Sequence, residues 1–357
     1  PLNSLFGWNI KTVIILSGMA VMLYSMIGGI KAVLWTDAIQ GLILITGAVT
    51  CALFITFSMP EGPEQLFRIA IENKKFSLGS FGTSLKESTF WVILIYGLFI
   101  NLQNFGIDQN YIQRYMASKS DKSAKRSTLF GSLLYLPVSL VFFYIGTALF
   151  SYYTSQPGLL PESLNQPGSA DKVFPYFIVN SLPAGLTGLL IASIFAAGMS
   201  TVSTSLNSSA TIILTDYFRK FSAKKLSLKH EMSVLYASSF GVGTAGIIIA
   251  LLLVGVESVL DAWWALASVF SGGMLGLFLM GYLVRKASNK DAIAGIIAGI
   301  IIIAWMSLSP VIFKGDTLAG LSSQFNPNLA IVFGTSAIFL TGFLSAILFN
   351  RNRKKNL

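Results

Sequence analysis

The sequence predicts an all-α, polytopic membrane protein, and three observations carry that expectation. Apolar residues make up 54% of the chain and charged residues only 11%, with a mean hydropathy of +0.69, where a soluble globular protein carries about a quarter charged residues. The apolar residues fall in long runs, and about 20 of them at 1.5 Å rise are enough for a membrane-crossing helix. No ten-residue stretch alternates polar and apolar side chains, so a transmembrane β-barrel is rejected.

Nine spans are expected, at 12–30, 33–59, 88–107, 128–154, 186–216, 232–256, 258–284, 291–312 and 328–349, as one transmembrane domain over residues 1–357. The first ends at Gly28-Gly29, and the second carries Asp37 early in its apolar run. The third ends in NFGIDQNYIQRY, where Asp108 reads as interfacial with Arg114 in reach. Pro137 interrupts the fourth, and Pro183 precedes the fifth, which ends at Asp216 with Arg219 close by. The sixth follows a basic loop holding His230, and the seventh is broken at Gly272-Gly273, with Asp261 near its outer rim. The eighth and ninth follow, and the chain closes on RNRKKNL. Each glycine pair has two readings: a broken helix lining a cavity, or small residues that let helices pack closely.

The loops alternate between rich and poor in basic residues. One set holds Lys31; Arg114, Lys119, Lys122, Lys125 and Arg126; Arg219, Lys220, Lys224, Lys225 and Lys229; Arg285, Lys286 and Lys290; and Arg351, Arg353, Lys354 and Lys355. That is 18 of the 25 Lys and Arg. The positive-inside rule then puts Leu357 on the cytoplasmic side of the plasma (bacterial inner) membrane, Pro1 outside, and lipid around the spans. The chain begins at Pro1 without a charged n-region or cleavage site, so no signal peptide is read and a further N-terminal part is expected.

Several function classes drop out. The net charge of +10 lies in the loops between spans, which argues against nucleic acid as a partner. One cysteine, Cys51 inside an apolar run, and one histidine, His230, leave no disulfide framework and no transition-metal spacing. No intramembrane histidine, paired carboxylates or nucleophile–base arrangement is present, so no catalytic residue is assigned and an enzyme is not expected.

The fifth span holds an anomaly. Eight of the twelve residues from Ser200 to Thr211 carry a hydroxyl. At 100° per residue, Ser200, Ser203, Thr204, Asn207 and Thr211 share a stripe about 100° wide, with Ala197 near its edge. Ser205 and Ser209 point largely the other way. Hydroxyls on a helix can simply bond back to the i−4 carbonyl or let a neighbour pack close. Hydroxyl and carbonyl oxygens also suit a small hard cation that must bind and leave, with sodium the natural candidate if a carboxylate is near. Asp37 is that carboxylate, read either as a membrane-embedded functional acid or as an interfacial residue capping a helix.

Four stretches together resemble the sodium:solute symporter family, the sodium/glucose cotransporter superfamily: GGIKAVLWTDAIQG (28–41), DQNYIQRYMASKS (108–120), LPAGLTGLLIASIFAAGMSTVSTSLNS (182–208) and SGGMLGLFLMGYL (271–283). Within it, STVSTSLNSSATIILTDYF looks most like bacterial sodium/sialic acid symporters. The resemblance implies a LeuT-type inverted-repeat fold, with sites near the midplane between discontinuous helices. It implies about four further N-terminal helices as partners in the same protein, supplying much of the substrate pocket and two carbonyls of a sodium site. It also implies sodium-coupled symport of a small organic solute by alternating access, with one or two Na⁺ ions bound. An acidic sugar, sialic acid, is the first expectation. Proline, a neutral sugar, a vitamin or an anion is the alternative solute, and a non-transporting sodium-dependent sensor or channel the alternative role.

Carried over by position, the resemblance gives a general sodium site at the Ala197 carbonyl and the Ser200 and Thr201 hydroxyls. Thr201 stands where the family often has Ser, and lies about 100° round from Ser200. A second site would use Ser200, Ser203, Thr204 and Asp37. The substrate would meet Asn101, Asn104 and Phe105 on the third span, beside Gln103, and Trp264 on the seventh. Trp263 and Trp264 read either as an outer gate or as an interfacial aromatic belt.

Overall fold

The computed structural model describes residues 7–166, 168–222, 226–254, 273–285, 287–313 and 319–353, and every regular element among them is helical. Helix is what a lipid-embedded backbone requires, because it satisfies its own N–H and C=O groups. Seven helices among the described residues are long and apolar enough to cross a membrane, and the protein is a multi-pass membrane protein.

The chain divides into two compact units. The first comprises Pro1–Ser77 and Tyr115–Gly255. Its leading element is α1 (Ile10–Phe57), 48 residues from the Asn9 cap, which at 1.5 Å per residue would extend about 72 Å, twice the thickness of a bilayer core. One residue resolves the length: Gly29, at φ 54° and ψ −158°, leaves helical geometry and divides α1 into arms 10–28 and 30–57. That backbone conformation is open to glycine and strained for any residue with a Cβ. The expected spans 12–30 and 33–59 thus lie on either side of one break.

The first unit continues with α2 (Pro63–Glu72), α5 (Asp121–Ser155), α6 (Ala170–Asn180), α7 (Ala184–Ile212) and α8 (Leu228–Leu252). Between its parts the chain runs through α3 (Phe90–Ile107) and α4 (Gln109–Met116). Serine and threonine caps begin several of these helices: Thr89 accepts from Val92 N, Ser120 from Ser123 N and Ser227 from His230 N, each satisfying an N–H that the first turn leaves open. The main core joins Ala48, Cys51 and Ile55 of α1, Leu66 of α2, Leu149 and Tyr152 of α5, and Phe177 of α6. Phe177 is fully buried, edge-on to Phe54, Tyr152 and Tyr153 at 6.4, 5.4 and 6.4 Å. The C-terminal arm of α1 packs closely on α7, where a Cβ at Gly47 would come within 2.5 Å of Ser193 Oγ.

The second unit comprises Leu78–Arg114 and Val256–Leu357. Its described helices are α3, α9 (Met274–Leu283), α10 (Asn289–Ile312) and α11 (Ala330–Arg353). Buried Ile338 of α11 fits against Gly276 of α9 and Gly295 and Gly299 of α10. Asp291 caps α10, accepting from Ser288 N at 2.8 Å, and is tied to α11 by Ser345 Oγ at 2.5 Å.

Three details depart from the sequence reading. Pro137 sits inside an unbroken α5, because a proline removes one internal hydrogen bond and the flanking bonds hold the helix. Arg219 pairs with Glu231, not Asp216: its Nε and Nη2 donate to the two carboxylate oxygens at 2.7 Å each. α7 passes at Ile213–Arg219 into a π-helical turn, and Arg219 meets the first turn of α8 there. The short helices α2, α4 and α6 were not expected. Of the span 258–284, Met274–Leu283 is a described helix, while Asp261, Trp263, Trp264 and Gly272 lie outside the described residues.

Candidate functional site

The hydroxyl stripe lies in the C-terminal half of α7 and faces both arms of α1. Thr204, buried, donates from Oγ1 to Asp37 Oδ2 at 3.2 Å. Asp37 is no cap: it sits inside the second arm of α1, eight residues beyond the break. Ser203, with no exposed surface, donates to the Ser200 carbonyl at 3.0 Å. Asn207 bridges the helices, its Nδ2 donating to Ser25 Oγ on the first arm of α1 at 2.7 Å and to the Ser203 carbonyl at 3.1 Å. Tyr24 OH donates to the Met199 carbonyl at 3.2 Å. Two helical arms joined at Gly29 therefore hold the same turns of α7 from different sides.

The hydroxyls of this segment divide between bonds within α7 and a bond across to α1. Thr201, exposed, bonds back to the Ala197 carbonyl at 3.1 Å, and Thr211 to the Asn207 carbonyl at 2.8 Å. Thr204 instead reaches across to a carboxylate. The structure thus brings Thr204 to Asp37 and Ser203 to the Ser200 carbonyl, with Thr201 next to Ser200 in the chain and Ala197 one turn before it on α7.

Sequence reasoning missed Ser25, Tyr24 and Gln40. Ser25 is 3% exposed, and its nearness to Gly28-Gly29 was the available signal. Gln40, half-buried, follows Asp37 by one turn.

The expected substrate residues lie on α3, in the second unit. Asn101 is exposed and its amide bonds back to the Gly97 carbonyl at 2.7 Å. Asn104 is half-buried, and Phe105 packs on Tyr111 with centroids 4.9 Å apart. Gln103 between them is buried. Trp264 lies outside the described residues. Asp108 ends α3 and accepts from Asn110 N at 2.7 Å, which starts α4.

A multi-pass helical protein with a broken helix and an embedded acid facing hydroxyls is built as an ion-coupled carrier is built. The profile of the sodium:solute symporter family matches residues 2–299, and the chain belongs to that family. It is 31% identical over 343 residues to the sodium/sialic acid symporter NanT of Aliivibrio fischeri, covering 95% of this chain and 64% of that protein. Against the sodium/sialic acid symporter SiaT of Proteus mirabilis, identity is 33% over 351 residues, covering 98% and 67%. Human sodium-coupled monocarboxylate transporter 1 is 29% identical over 320 residues, covering 87% and 51%. A solved substrate-bound, outward-open structure of a Na⁺-coupled sialic acid symporter, described as revealing a novel Na⁺ site, matches with a TM-score of 0.85 at 32% identity, over 97% of this chain and 68% of that one. The fold is therefore the LeuT-type inverted-repeat fold of the family. The chain spans about two thirds of the length of these sialic acid symporters.

Proposed function

We propose that the protein is a secondary active transporter that couples inward movement of sodium to symport of sialic acid by alternating access. The observation that carries the sodium half is the Thr204–Asp37 pair beside fully buried Ser203. An intramembrane carboxylate is costly, and a hydroxyl donor leaves its charge in place, whereas a monovalent cation cancels it. In this reading Asp37, Ser200, Ser203 and Thr204 hold one Na⁺, and the Ala197 carbonyl with the Ser200 and Thr201 hydroxyls holds another. The solute half rests on the similarity to sodium/sialic acid symporters, with Asn101, Asn104, Phe105 and Trp264 as the pocket. The nine spans form one domain in the plasma membrane, with the C-terminus cytoplasmic and lipid around it.

Each sodium ion crossing 100 mV inward contributes about 2.3 kcal/mol. Two contribute about 4.6 kcal/mol, on the order of a thousandfold accumulation of a neutral solute. A monoanionic sugar returns one charge, so symport with two ions moves one net positive charge per cycle, and with one ion none. Coupling requires sodium to favour the state that binds solute, since equal affinity for both states shifts nothing.

The test is a sialic acid concentration jump on proteoliposomes of the complete gene product, read as current, with native protein and an Asp37→Ala/Ser200→Ala double variant. A sodium-dependent inward current that the double variant lacks supports the reading. Normal sodium-driven transport by the double variant removes the site assignment. Current evoked by proline, a neutral sugar, a vitamin or an anion instead keeps the sodium sites and replaces the solute.

A further inference from the structure

A cavity of about 920 Å³ lies within the first unit, away from the residues assigned to sodium and solute, at the end of α5 remote from its basic start. Gly146, Leu149 and Phe150 of α5, Leu160 of the connection that follows, and Val173 and Phe174 of α6 give it apolar walls. Asn165 and Gln166 add side-chain amides. Lys75, three residues beyond α2, is the one charged residue lining it among the described residues.

The turn that ends α2 fixes the position of Lys75. Lys74 N donates to the Ile71 carbonyl at 3.0 Å and Lys75 N to the Ala70 carbonyl at 2.9 Å, the paired bonds of a Schellman cap. Such a cap puts one residue in the left-handed region, and here it is Lys74, at φ 54°, where glycine is usual. The strain of a Cβ there is held in a turn that delivers the next side chain onto α5. Lys75 Nζ stands 3.8 Å from the centre of the Phe150 ring, and no ion pair engages it among the described residues. An aromatic face attracts the ammonium but does not neutralise it.

Depth in the bilayer identifies the surroundings. Arg126 is the last charged residue of α5, and about 20 residues cross the hydrocarbon core, which brings the far boundary to the level of Gly146. Phe150, with Lys75 over its ring, lies about 6 Å beyond, in the headgroup layer. The ledge around Lys75 is apolar on its open side. Phe67, Ile71 and Phe76 are exposed, and Phe67 meets Phe76 and Tyr144 of α5 with centroids 6.4 and 6.2 Å apart. Apolar side chains exposed beside a cation at that depth face lipid.

We infer that this cavity binds an anionic phospholipid, its phosphodiester at Lys75 and an acyl chain running along α5 past Gly146 toward the bilayer core. The lysine supplies the charge, the Asn165 and Gln166 amides supply further donors for phosphate and glycerol oxygens, and the apolar walls take the chain. A zwitterionic lipid fits the same walls but brings its own ammonium toward Lys75, so the site favours an anionic headgroup. The bound lipid ties the turn after α2 to the α5–α6 connection. The inference rests on the membrane-spanning fold and is independent of the symport reading.

The experiment is native mass spectrometry of the purified complete gene product in detergent, titrated with dioleoyl phosphatidylglycerol or dioleoyl phosphatidylcholine. Native protein is compared with Lys75→Gln, Lys75→Arg and Gly146→Leu, and is expected to bind phosphatidylglycerol the more tightly. One lysine at a membrane surface is worth about fivefold in affinity for an anionic headgroup. Lys75→Gln should therefore raise the phosphatidylglycerol Kd about fivefold and leave that for phosphatidylcholine unchanged, while Lys75→Arg keeps the preference. A Cβ at Gly146 meets nothing within 4 Å, so leucine there suits the fold, yet its side chain enters the path of the acyl chain and both lipids should bind more weakly. Equal affinity of native protein for the two lipids overturns the inference. So does phosphatidylglycerol affinity within about twofold of native in Lys75→Gln or Gly146→Leu. Displacement of phosphatidylglycerol by an equal concentration of glycerol 3-phosphate would mean recognition of a soluble anion and overturns it as well.

Discussion

Replacing Thr204 with valine removes one hydroxyl and keeps the side chain's shape. In the native protein that hydroxyl, on a residue 5% exposed, donates to Asp37 Oδ2 at 3.2 Å. A hydrogen bond to a charged group contributes about 1.5–3 kcal/mol. The separation is long for an O–H···O bond, which places this one in the lower half of that range. In the sodium-bound state of this account the hydroxyl oxygen is a ligand of the ion, and losing an interaction of that size, at about 1.4 kcal/mol per tenfold change, should raise the half-saturating sodium concentration about 10- to 40-fold. The assay is initial uptake rate against sodium concentration in proteoliposomes, with the solute KM measured again at saturating sodium. The sodium curve should shift while the solute KM at saturating sodium stays close to native. Thr204→Ser, which restores the hydroxyl, should bring the curve back. A Thr204→Val protein whose sodium dependence stays within about twofold of native would refute the reasoning, because valine fills the same space and a purely packing role predicts no change.

Gly29→Ala should destabilise by about 1–3 kcal/mol, since the positive φ and extended ψ at the break of α1 strain any Cβ; a variant melting with the native protein would contradict a fixed break. Phe177→Ala opens a cavity among Phe54, Tyr152 and Tyr153, and a loss of about 3–5 kcal/mol is expected, read as a fall in melting temperature in detergent. Asn207→Leu leaves Ser25, 3% exposed, without its amide donor, at about 1–3 kcal/mol. The double variant with Ser25→Ala should lose less than the sum of the singles, and full additivity would mean the bridge is not a coupled pair.

The stripe on α7 was legible because it depends only on the 3.6-residue period, and the structure puts Ser203 and Thr204 on the buried side and Thr201 on the exposed one. Asp37 was legible from its surroundings in the sequence as a costly residue, and as a neighbour of Thr204 only through the family resemblance. That Thr204 is its partner depends on antiparallel packing that no local pattern encodes. Ser25 was hidden for the same reason, since it reaches Asn207 only because α1 turns at Gly29, leaving its two arms against the same turns of α7. Gln40 follows the acid in plain sight, but an amide in a helix looks ordinary until its oxygen is seen to be enclosed. The third span illustrates the opposite difficulty. Asn101, Gln103 and Asn104 are alike in sequence, yet Gln103 is the buried one and Asn101 spends its amide on its own helix. Caps such as Ser227 and Ser288 and the basic loops are local signals and could be read directly. Short helices such as α2 and α6 carry too few residues for periodicity to announce them.

Uptake of radiolabelled sialic acid into proteoliposomes of the complete gene product, with and without an inward sodium gradient, tests the central claim most directly. The account predicts saturable uptake that rises above equilibrium with the gradient and disappears when sodium is replaced by choline. Sialic acid uptake that is the same with and without sodium would contradict it.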